Sequence, residues 1–363
     1  MKSFIRSVFF LISILFRRKE VDVIFYYPQH FNRGPSAENM FFNHFYTICD
    51  NKSINYISLE EPDFSSSIAR NDQSKPFDII YIIILILRKF IKSDYKIGQI
   101  LGGTILRGLR FKNYIVLSQS MLSIFRGINP EARIFDMQHG VIYSNKSNYI
   151  KDGTVSATLQ ENNVSVLLFG RKFQEILKKN DSSKYFHNHS YIVGSSLGEG
   201  TVIHNHANKN ILVSLQFTED HTLEENELIA DILEQFIIDN HTYSFFLKDH
   251  PRYNDEINLE RFFKLDNVYQ ADYILEDCFK RCSIHLTVYS TTTFESAIFG
   301  IPTIFLDVPI STSNIFRDEF NYPLFDGLDN LLADYGNSGT KVREWVHGYF
   351  EEIDECQFIS LLA

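Results

Sequence analysis

The stretch CSIHLTVYSTTTFESAIFGIP (Cys282–Pro302) joins an apolar run to a helical pattern through a series of hydroxyl residues. Its first part is rich in β-branched and apolar side chains and predicts a buried strand, whereas TFESAIFG has helical spacing and ends at Gly300 and Pro302. The hydroxyls are therefore predicted at a turn from strand to helix. A Ser or Thr there caps the helix, and the free N–H groups with the helix dipole favour a bound anion such as phosphate.

The same alternation of strand-like and helical runs continues in both directions along the chain. Strands are predicted at VDVIFYYP (21–28), ARIFDMQHG (132–140), VSVLLFG (164–170), ILVSLQF (211–217) and YSFFLKDHP (243–251). Alternation of this kind is typical of parallel sheets with helices on both faces. We therefore predict an α/β protein with two Rossmann-like domains facing a cleft.

The two predicted domains meet near residue 200. Residues 188–210 interrupt the alternation with Gly, Ser, Asn and His, and we interpret them as a linker. The predicted organisation is an N-terminal helix over 1–20, an N-terminal Rossmann-like domain over 21–200 and a C-terminal Rossmann-like domain over 208–363. A length of 363 residues with 44% hydrophobic residues suits two such domains.

Composition excludes several classes of protein. A formal net charge of -10 argues against broad nucleic-acid binding, which usually requires a basic surface. The four cysteines form no CxxC pair, which favours a reduced, cytoplasmic interior. The sequence contains no GxGxxG and no P-loop, which argues against nicotinamide enzymes and P-loop kinases.

The N-terminus departs from the acidic average. Residues 1–20, MKSFIRSVFFLISILFRRKE, carry five Lys or Arg residues around an apolar run that is too short to span a bilayer of roughly 30 Å. This pattern favours a helix in a membrane surface, attracted by anionic lipid. The alternative is a helix packed on the body of the protein. Residues 77–92 repeat the pattern, and for them a buried helix or strand with a solvated basic end is an equal alternative.

Three polar stretches follow predicted strands, where ligands bind in open α/β sheets. They are Gln138–Gly140, Lys248–Pro251 and the hydroxyl cluster from Ser290. His139 is placed to take a proton from an incoming hydroxyl, with a histidine bonded to a neighbouring loop as the alternative. Asp136 either orients that imidazole or points away from it.

The C-terminal stretches suit a phosphorylated ligand. His250, beside the backbone-fixing Pro251 and the cation Lys248, is suited to donate to phosphate oxygens; an exposed histidine at a loop start is the alternative. Glu295 is suited to accept both hydroxyls of a ribose, or is only a favourable charge at a helix N-terminus. The pairs HNHS and HNHAN have metal-like spacing but no carboxylate partner, so no metal site is predicted.

These stretches resemble motifs of two-domain GT-B glycosyltransferases, especially bacterial enzymes of capsule, lipopolysaccharide and teichoic acid synthesis with cytidine-activated donors. In sialyltransferases and Kdo transferases an HP motif and a Ser/Thr motif bind the CMP moiety, which the resemblance carries to His250, Pro251, Ser290 and Thr291. CDP-glycerol polymerases have a histidine-glycine motif similar to His139–Gly140. ESAIFGIP resembles the segment whose glutamate holds ribose in GT-B enzymes.

The resemblance implies a metal-independent transferase that moves a sugar or polyol phosphate from a CMP- or CDP-linked donor to a saccharide or lipid-linked acceptor, at the inner face of a bacterial membrane. His139 is the expected base, and His250 with Ser290–Thr292 is expected to stabilise the leaving phosphate. The acidic motif that supplies the base in bacterial sialyltransferases is not evident here; DMQHG stands in its place. Two rival hypotheses are a sugar-nucleotide epimerase of the same fold and a non-catalytic scaffold docked on the membrane.

Overall fold

The computed structural model describes residues 2–32, 34, 37–64, 68–196, 207–250, 253, 255–272, 274–310 and 314–363. The chain divides into two compact units. Unit 1 comprises Met1–Ser196 and Glu351–Ala363, and unit 2 comprises Leu197–Phe350. Each unit is built around its own parallel sheet.

The sheet of unit 1 has seven parallel strands within the described ranges, in the order β3-β2-β1-β4-β5-β8-β9. The central strand β1 has an unbroken apolar run whose side chains are fully buried from Val23 to Tyr27, as expected for a strand covered on both faces. The strands are β1 (Lys19–Pro28), β2 (Tyr56–Glu61), β3 (Lys75–Pro76), β4 (Leu109–Leu117), β5 (Arg133–Met137), β8 (Val164–Leu168) and β9 (Ser190–Ile192), with a separate hairpin β6 (Ile150–Lys151) and β7 (Thr154–Val155).

Helices connect these strands, as parallel pairing requires. The helices of unit 1 before the linker are α1 (Lys2–Phe16), α2 (Asn43–Asn51), α3 (Asp78–Arg88), α4 (Asp94–Gly103), α5 (Leu122–Ile128), α6 (Ala157–Glu161) and α7 (Arg171–Asn180), with 3-10 turns at Gln29–Phe31 and Tyr185–His187.

The sheet of unit 2 has five parallel strands among the residues described, in the order β12-β11-β10-β13-β14. Its strands are β10 (Asn210–Ser214), β11 (Ser244–Lys248), β12 (Val268–Gln270), β13 (Ile284–Thr287) and β14 (Thr303–Phe305). Its helices are α8 (Leu223–Asp239), α9 (Glu260–Phe263), α10 (Leu275–Arg281), α11 (Thr292–Ile298), α12 (Ile315–Asp318), α13 (Leu328–Ala333) and α14 (Tyr335–Val346).

Helix α8 shows how local sequence determines an element of this unit. Thr222 and Glu225 form a reciprocal capping box that satisfies backbone N–H groups at the helix start. Ile229, Leu233 and Ile237 then follow at helical spacing and are buried in the core of unit 2.

The predicted α/β class with two Rossmann-like units is confirmed by the strand order. In each sheet the first strand in the chain, β1 or β10, is central; the next two strands extend the sheet on one side of it, and the later strands extend it on the other side. One predicted linker segment and one predicted domain boundary differ from the structure. Ser190–Ile192, within the predicted linker, is an edge strand paired with β8. The final helix α15 (Glu355–Leu362) belongs to unit 1, where Phe358 contacts Phe45, although the sequence assigned residues 351–363 to the C-terminal domain.

The described part of the chain contains no helix that is long and apolar enough to cross a membrane. Residues 77–92, for which a buried helix was one alternative, contain α3, whose Ile80 and Ile84 are buried.

Candidate functional site

The carboxyl edge of the unit 1 sheet carries the predicted histidine loop. Gln138, directly after β5, is fully buried and its side chain makes two hydrogen bonds. Its Nε2 donates to the carbonyl oxygen of Gly140 at 2.8 Å, and its Oε1 accepts from the backbone N–H of Phe169 at 2.9 Å. Gln138 therefore fixes the loop around His139 to the end of β8.

His139 itself is half-buried at this edge. Its ring lies edge-on to the ring of Phe31, with 5.4 Å between the centroids. Phe31 belongs to the 3-10 turn that directly follows β1. The imidazole therefore lies close to the carboxyl end of β1, beside the point at which the strand order of unit 1 reverses.

A lysine lies beneath the same loop. Lys146 Nζ donates to the carbonyl oxygen of Val141 at 2.6 Å, and a Cβ on Gly140 would lie 3.8 Å from that nitrogen. Burial lowers the pKa of Lys146, while the charge of Asp136 raises it. The His139–Val141 loop is therefore held by a side-chain amide and by an ammonium group.

Asp136 is fully buried, and its carboxylate is engaged by the turn after β4. It accepts hydrogen bonds from the Gln119 backbone N–H at 3.1 Å, from Gln119 Nε2 at 3.3 Å and from the Tyr149 hydroxyl at 3.0 Å. Burial raises its pKa to about 7 despite these bonds. The sequence left open whether Asp136 orients the imidazole; the structure instead connects it to Gln119 and Tyr149.

The turn after β4 has an unusual backbone and was missed by the sequence analysis. Ser118, Gln119 and Met121 have φ values of 62°, 55° and 58°, a left-handed conformation that non-glycine residues rarely adopt. Ser120 Oγ hydrogen-bonds to the carboxylate of Glu61 at the end of β2. The turn therefore connects the ends of β2 and β5. The feature of the sequence that could have located this turn is the polar pair Ser118 and Gln119, which directly follows the apolar run NYIVL.

In unit 2 the hydroxyl cluster forms the predicted turn between β13 and α11. Ser290 is buried; its Oγ donates to Thr292 Oγ1 at 3.0 Å and accepts from the Thr292 backbone N–H at 3.3 Å. Thr291 is exposed at the N-cap position, and Glu295 is half-buried in the first turn of the helix. Ser290 precedes the N-cap residue and satisfies one backbone N–H at the start of α11, whereas the N-cap residue Thr291 makes no capping hydrogen bond with its side chain.

Two further predicted residues lie at the same edge of this sheet: Lys248 is the last residue of β11, and His250 follows two residues later. Lys248 is half-buried and its Nζ donates to the carbonyl oxygen of Ala271 at 3.2 Å. His250 is half-buried, and its carbonyl oxygen accepts from the Tyr253 N–H at 2.9 Å. Pro251 lies outside the described residues. Because β11, β10 and β13 are adjacent and parallel, Lys248, His250 and Ser290 flank the carboxyl end of β10.

A histidine–tyrosine pair spans the reversal point of unit 2 and was not singled out from the sequence. The Tyr289 hydroxyl and His221 Nε2 are 2.6 Å apart, while His221 Nδ1 lies 3.2 Å from the carbonyl oxygen of Gln216. His221 follows β10 and Tyr289 follows β13. The pair therefore borders the place where ligands bind in such sheets.

A buried histidine supports the hydroxyl turn from below. His285 on β13 is fully buried between Ser214 Oγ at 2.8 Å and Thr303 Oγ1 at 2.9 Å, and burial lowers its pKa to about 3. Thr287 Oγ1 donates to the Ser214 carbonyl oxygen and accepts from the Ser290 N–H at 3.3 Å. A polar chain therefore connects the sheet interior to Ser290. The feature of the sequence that could have indicated this polar chain is His285, which lies within the apolar run CSIHLTVY.

Across the described part of the chain, no group of three or more His, Cys, Asp and Glu side chains is arranged to hold a metal ion. Of the histidines with metal-like spacing, His204 and His206 lie outside the described residues. His189 has both ring nitrogens occupied, by the Tyr185 carbonyl oxygen and by Asn163 Oδ1, each at 2.9 Å.

No protein-family model matches the chain, and no curated protein matches it in sequence. Solved structures do match its fold. The wall teichoic acid polymerase TagF is 12% identical, with 99% of this chain and 96% of that chain covered and a TM-score of 0.57. A putative UDP-N-acetylglucosamine 2-epimerase from Listeria monocytogenes is 8% identical, with 94% and 96% covered and a TM-score of 0.56.

A third match is the UDP-GlcNAc 2-epimerase from Methanocaldococcus jannaschii, which is 12% identical over 95% of this chain and 99% of that chain, with a TM-score of 0.51. These neighbours are GT-B fold enzymes, and this chain has the same fold of two Rossmann-like units. At such identities the likeness establishes the fold alone, because one fold hosts many activities.

Proposed function

We propose that the protein is a nucleotide-dependent transferase that moves a sugar or a polyol phosphate from a cytidine-activated donor to a growing bacterial surface polysaccharide. The observation that carries the proposal is the gathering of Lys248, His250 and Ser290 at one edge of the unit 2 sheet. A cation, an imidazole and the hydroxyl and N–H groups at a helix start are groups that bind phosphate oxygens.

The donor groups have assigned roles in this proposal. Lys248, His250 and the turn from Ser290 to Thr292 stabilise the charge that develops on the departing nucleotide phosphate. Glu295 accepts hydrogen bonds from the ribose hydroxyls. Charge stabilisation by these protein groups, without a metal ion, is part of the proposal. The cytidine preference rests on the resemblance of the HP and hydroxyl stretches to CMP-binding motifs.

His139 is the proposed base on the acceptor side. Its imidazole takes the proton of the acceptor hydroxyl, the freed oxygen forms the new bond to the donor carbon or phosphorus, and the bond to the nucleotide phosphate breaks. Gln138, Gly140 and Lys146 fix the loop that carries the imidazole. Asp136 has a separate role in this proposal: its carboxylate anchors the turn after β4 through Gln119.

We place the reaction at the cytoplasmic face of the inner membrane, where the protein is peripheral and the acceptor is a saccharide or a lipid-linked chain. The support for the membrane location is the basic, apolar sequence of α1.

The cytidine preference has a parallel among the structural neighbours. One of the solved TagF structures is described as a soak of that polymerase with CDPG.

The experiment that tests the function is transfer of a labelled group from CMP- or CDP-linked donors to acceptors in bacterial membrane extracts, with His139→Ala as the matched inactive variant. The proposal predicts label in a polymeric product and release of the cytidine nucleotide. Absence of transfer from every cytidine donor, with transfer from a uridine donor instead, would contradict the cytidine assignment.

An epimerase is the second candidate, because two of the three described structural neighbours carry that name. An epimerase would convert UDP-GlcNAc to its 2-epimer without any acceptor. Incubation of the protein with UDP-GlcNAc alone distinguishes the two candidates. A scaffold would show neither reaction and no saturable nucleotide binding.

A further inference from the structure

Helix α1 has an apolar stripe that the rest of unit 1 leaves uncovered. Ile5, Phe9, Ile12 and Phe16 follow one another at intervals of four, three and four residues, so they lie along one face of the helix. All four are exposed; Phe9 is 67% and Phe16 is 83% accessible. The helix contains no acidic residue.

The opposite side of α1 is fixed to unit 1. Ser7, Phe10 and Ile14 are buried, and Ser7 Oγ accepts a hydrogen bond from the Ile79 backbone N–H at 3.0 Å. A Cβ at Gly108 would lie 2.2 Å from the Ile14 carbonyl oxygen, so the helix end fits closely against the chain there. The alternative of a helix packed on the body is therefore confirmed for this side of α1, and the other side presents apolar side chains outward.

Helix α3, which packs against α1, adds exposed apolar side chains at its end. Ile86 is exposed, and Phe90, two residues after the helix, is 80% accessible. The exposed side chains of α1 and of the end of α3 are together called the two-helix face.

Basic residues accompany this face. Arg17 directly follows α1, and Lys89 and Lys92 flank Phe90; all three are exposed. Lys2 and Arg6 both contact Asp72 and so contribute less free charge. Apolar side chains beside Lys and Arg suit the interface of an anionic bilayer. Pairing of two copies through this face would bring like charges together, which is unfavourable.

We propose that the two-helix face inserts its apolar side chains into the interfacial layer of an anionic lipid bilayer and so holds unit 1 on the membrane. The inference deepens the membrane location in the proposed function by assigning the surface and the lipid class. It does not depend on which nucleotide the protein uses.

The test is co-sedimentation of the full chain with vesicles of phosphatidylcholine, with and without phosphatidylglycerol. The double variant Phe9→Glu/Phe16→Glu is expected to lower binding at least tenfold, and Phe90→Glu several-fold. Leu324→Glu is the matched control, since Leu324 in unit 2 is 66% accessible, and it should bind like the wild type. Point changes are preferred to deletion of α1, which would uncover the partners of Phe10 and Ile14.

Lys89→Gln/Lys92→Gln keeps the apolar stripe and should abolish most of the preference for anionic vesicles. Wild-type binding by the Phe9/Phe16 variant, with an unchanged melting temperature, would overturn the proposal. Wild-type dimers that dissociate in that variant, without vesicle binding, would overturn it too and make the face a self-association surface. Nucleotide stabilisation measured on the same variants tests the proposed function separately.

Discussion

Replacement of Asp136 by asparagine is expected to change the pH dependence of stability. Asp136 is fully buried and accepts hydrogen bonds from Gln119 and Tyr149. Folding raises the pKa of its carboxyl from 3.8 to about 7, with burial as the largest cause. An asparagine at this position would be similar in shape but would not titrate. The difference between the wild type and Asp136→Asn therefore isolates the contribution that protonation of Asp136 makes to stability.

The sign of the pH effect on stability follows from the direction in which folding shifts the pKa of Asp136. A carboxyl whose pKa is raised by folding contributes stability that is fully present below the unfolded pKa and is lost as pH rises through the folded pKa. A shift from 3.8 to about 7 corresponds to roughly 4 kcal/mol, at about 1.4 kcal/mol for each pKa unit. About 3 kcal/mol of this is lost by the wild type between about pH 5 and about pH 8.

The assay is urea unfolding of the wild type and Asp136→Asn at both pH values and constant ionic strength. The free energy of unfolding of the variant relative to the wild type should rise by about 3 kcal/mol from the lower to the higher pH. Glu60 and Glu61, whose pKa values burial also raises, are present in both proteins, so their effects cancel. A difference between variant and wild type that is independent of pH would refute the reasoning.

The remaining predictions concern turnover and binding. His139→Ala should lower kcat by about 10²–10⁴-fold while nucleotide binding, measured by calorimetry, stays intact, because only the base is lost; near-normal kcat would contradict its role. His250→Ala should weaken both nucleotide binding and turnover, and unchanged binding would exclude it as a phosphate partner. Glu295→Gln should raise the donor KM most, since an amide accepts ribose hydroxyls less well than a carboxylate; an unchanged donor KM would remove Glu295 from the donor site. Lys146→Met should lower kcat with little change in nucleotide affinity, because the His139 loop loses a support, and an unaltered kcat would show that the loop does not need it.

The sequence predicted the regular elements where hydrophobic period and capping agree. The apolar run of residues 21–28 was predicted as a strand and lies within β1, and the structure adds the capping box of Thr222 and Glu225 at the start of α8. The edge strand Ser190–Ile192 was missed because its neighbours are Gly, Ser, Asn and His, and its pairing with β8 is a tertiary contact. The return of α15 to unit 1 is likewise invisible to local patterns.

The candidate site was predictable at strand ends but not in its internal contacts. Gln138 and Ser290 were located by the rule that ligands bind beyond parallel strands, and the structure gives both a supporting role in a loop or turn. The left-handed backbone at Gln119 and its bonds to Asp136 depend on two strands meeting in space. No spacing in a single sequence encodes such a meeting.

The most direct test of the central claim, a cytidine-activated donor, is a thermal-shift comparison of CMP, CDP, UDP and GDP on the full chain, with and without EDTA. A ligand that binds the native state at about one hundred times its Kd stabilises it by about 2.7 kcal/mol, so a preference is visible without knowing the acceptor. We expect CMP or CDP to raise the melting temperature more than UDP or GDP, with no effect of EDTA. Equal shifts from all four nucleotides, or none, would contradict the cytidine assignment, and a shift lost with EDTA would contradict metal-independent binding.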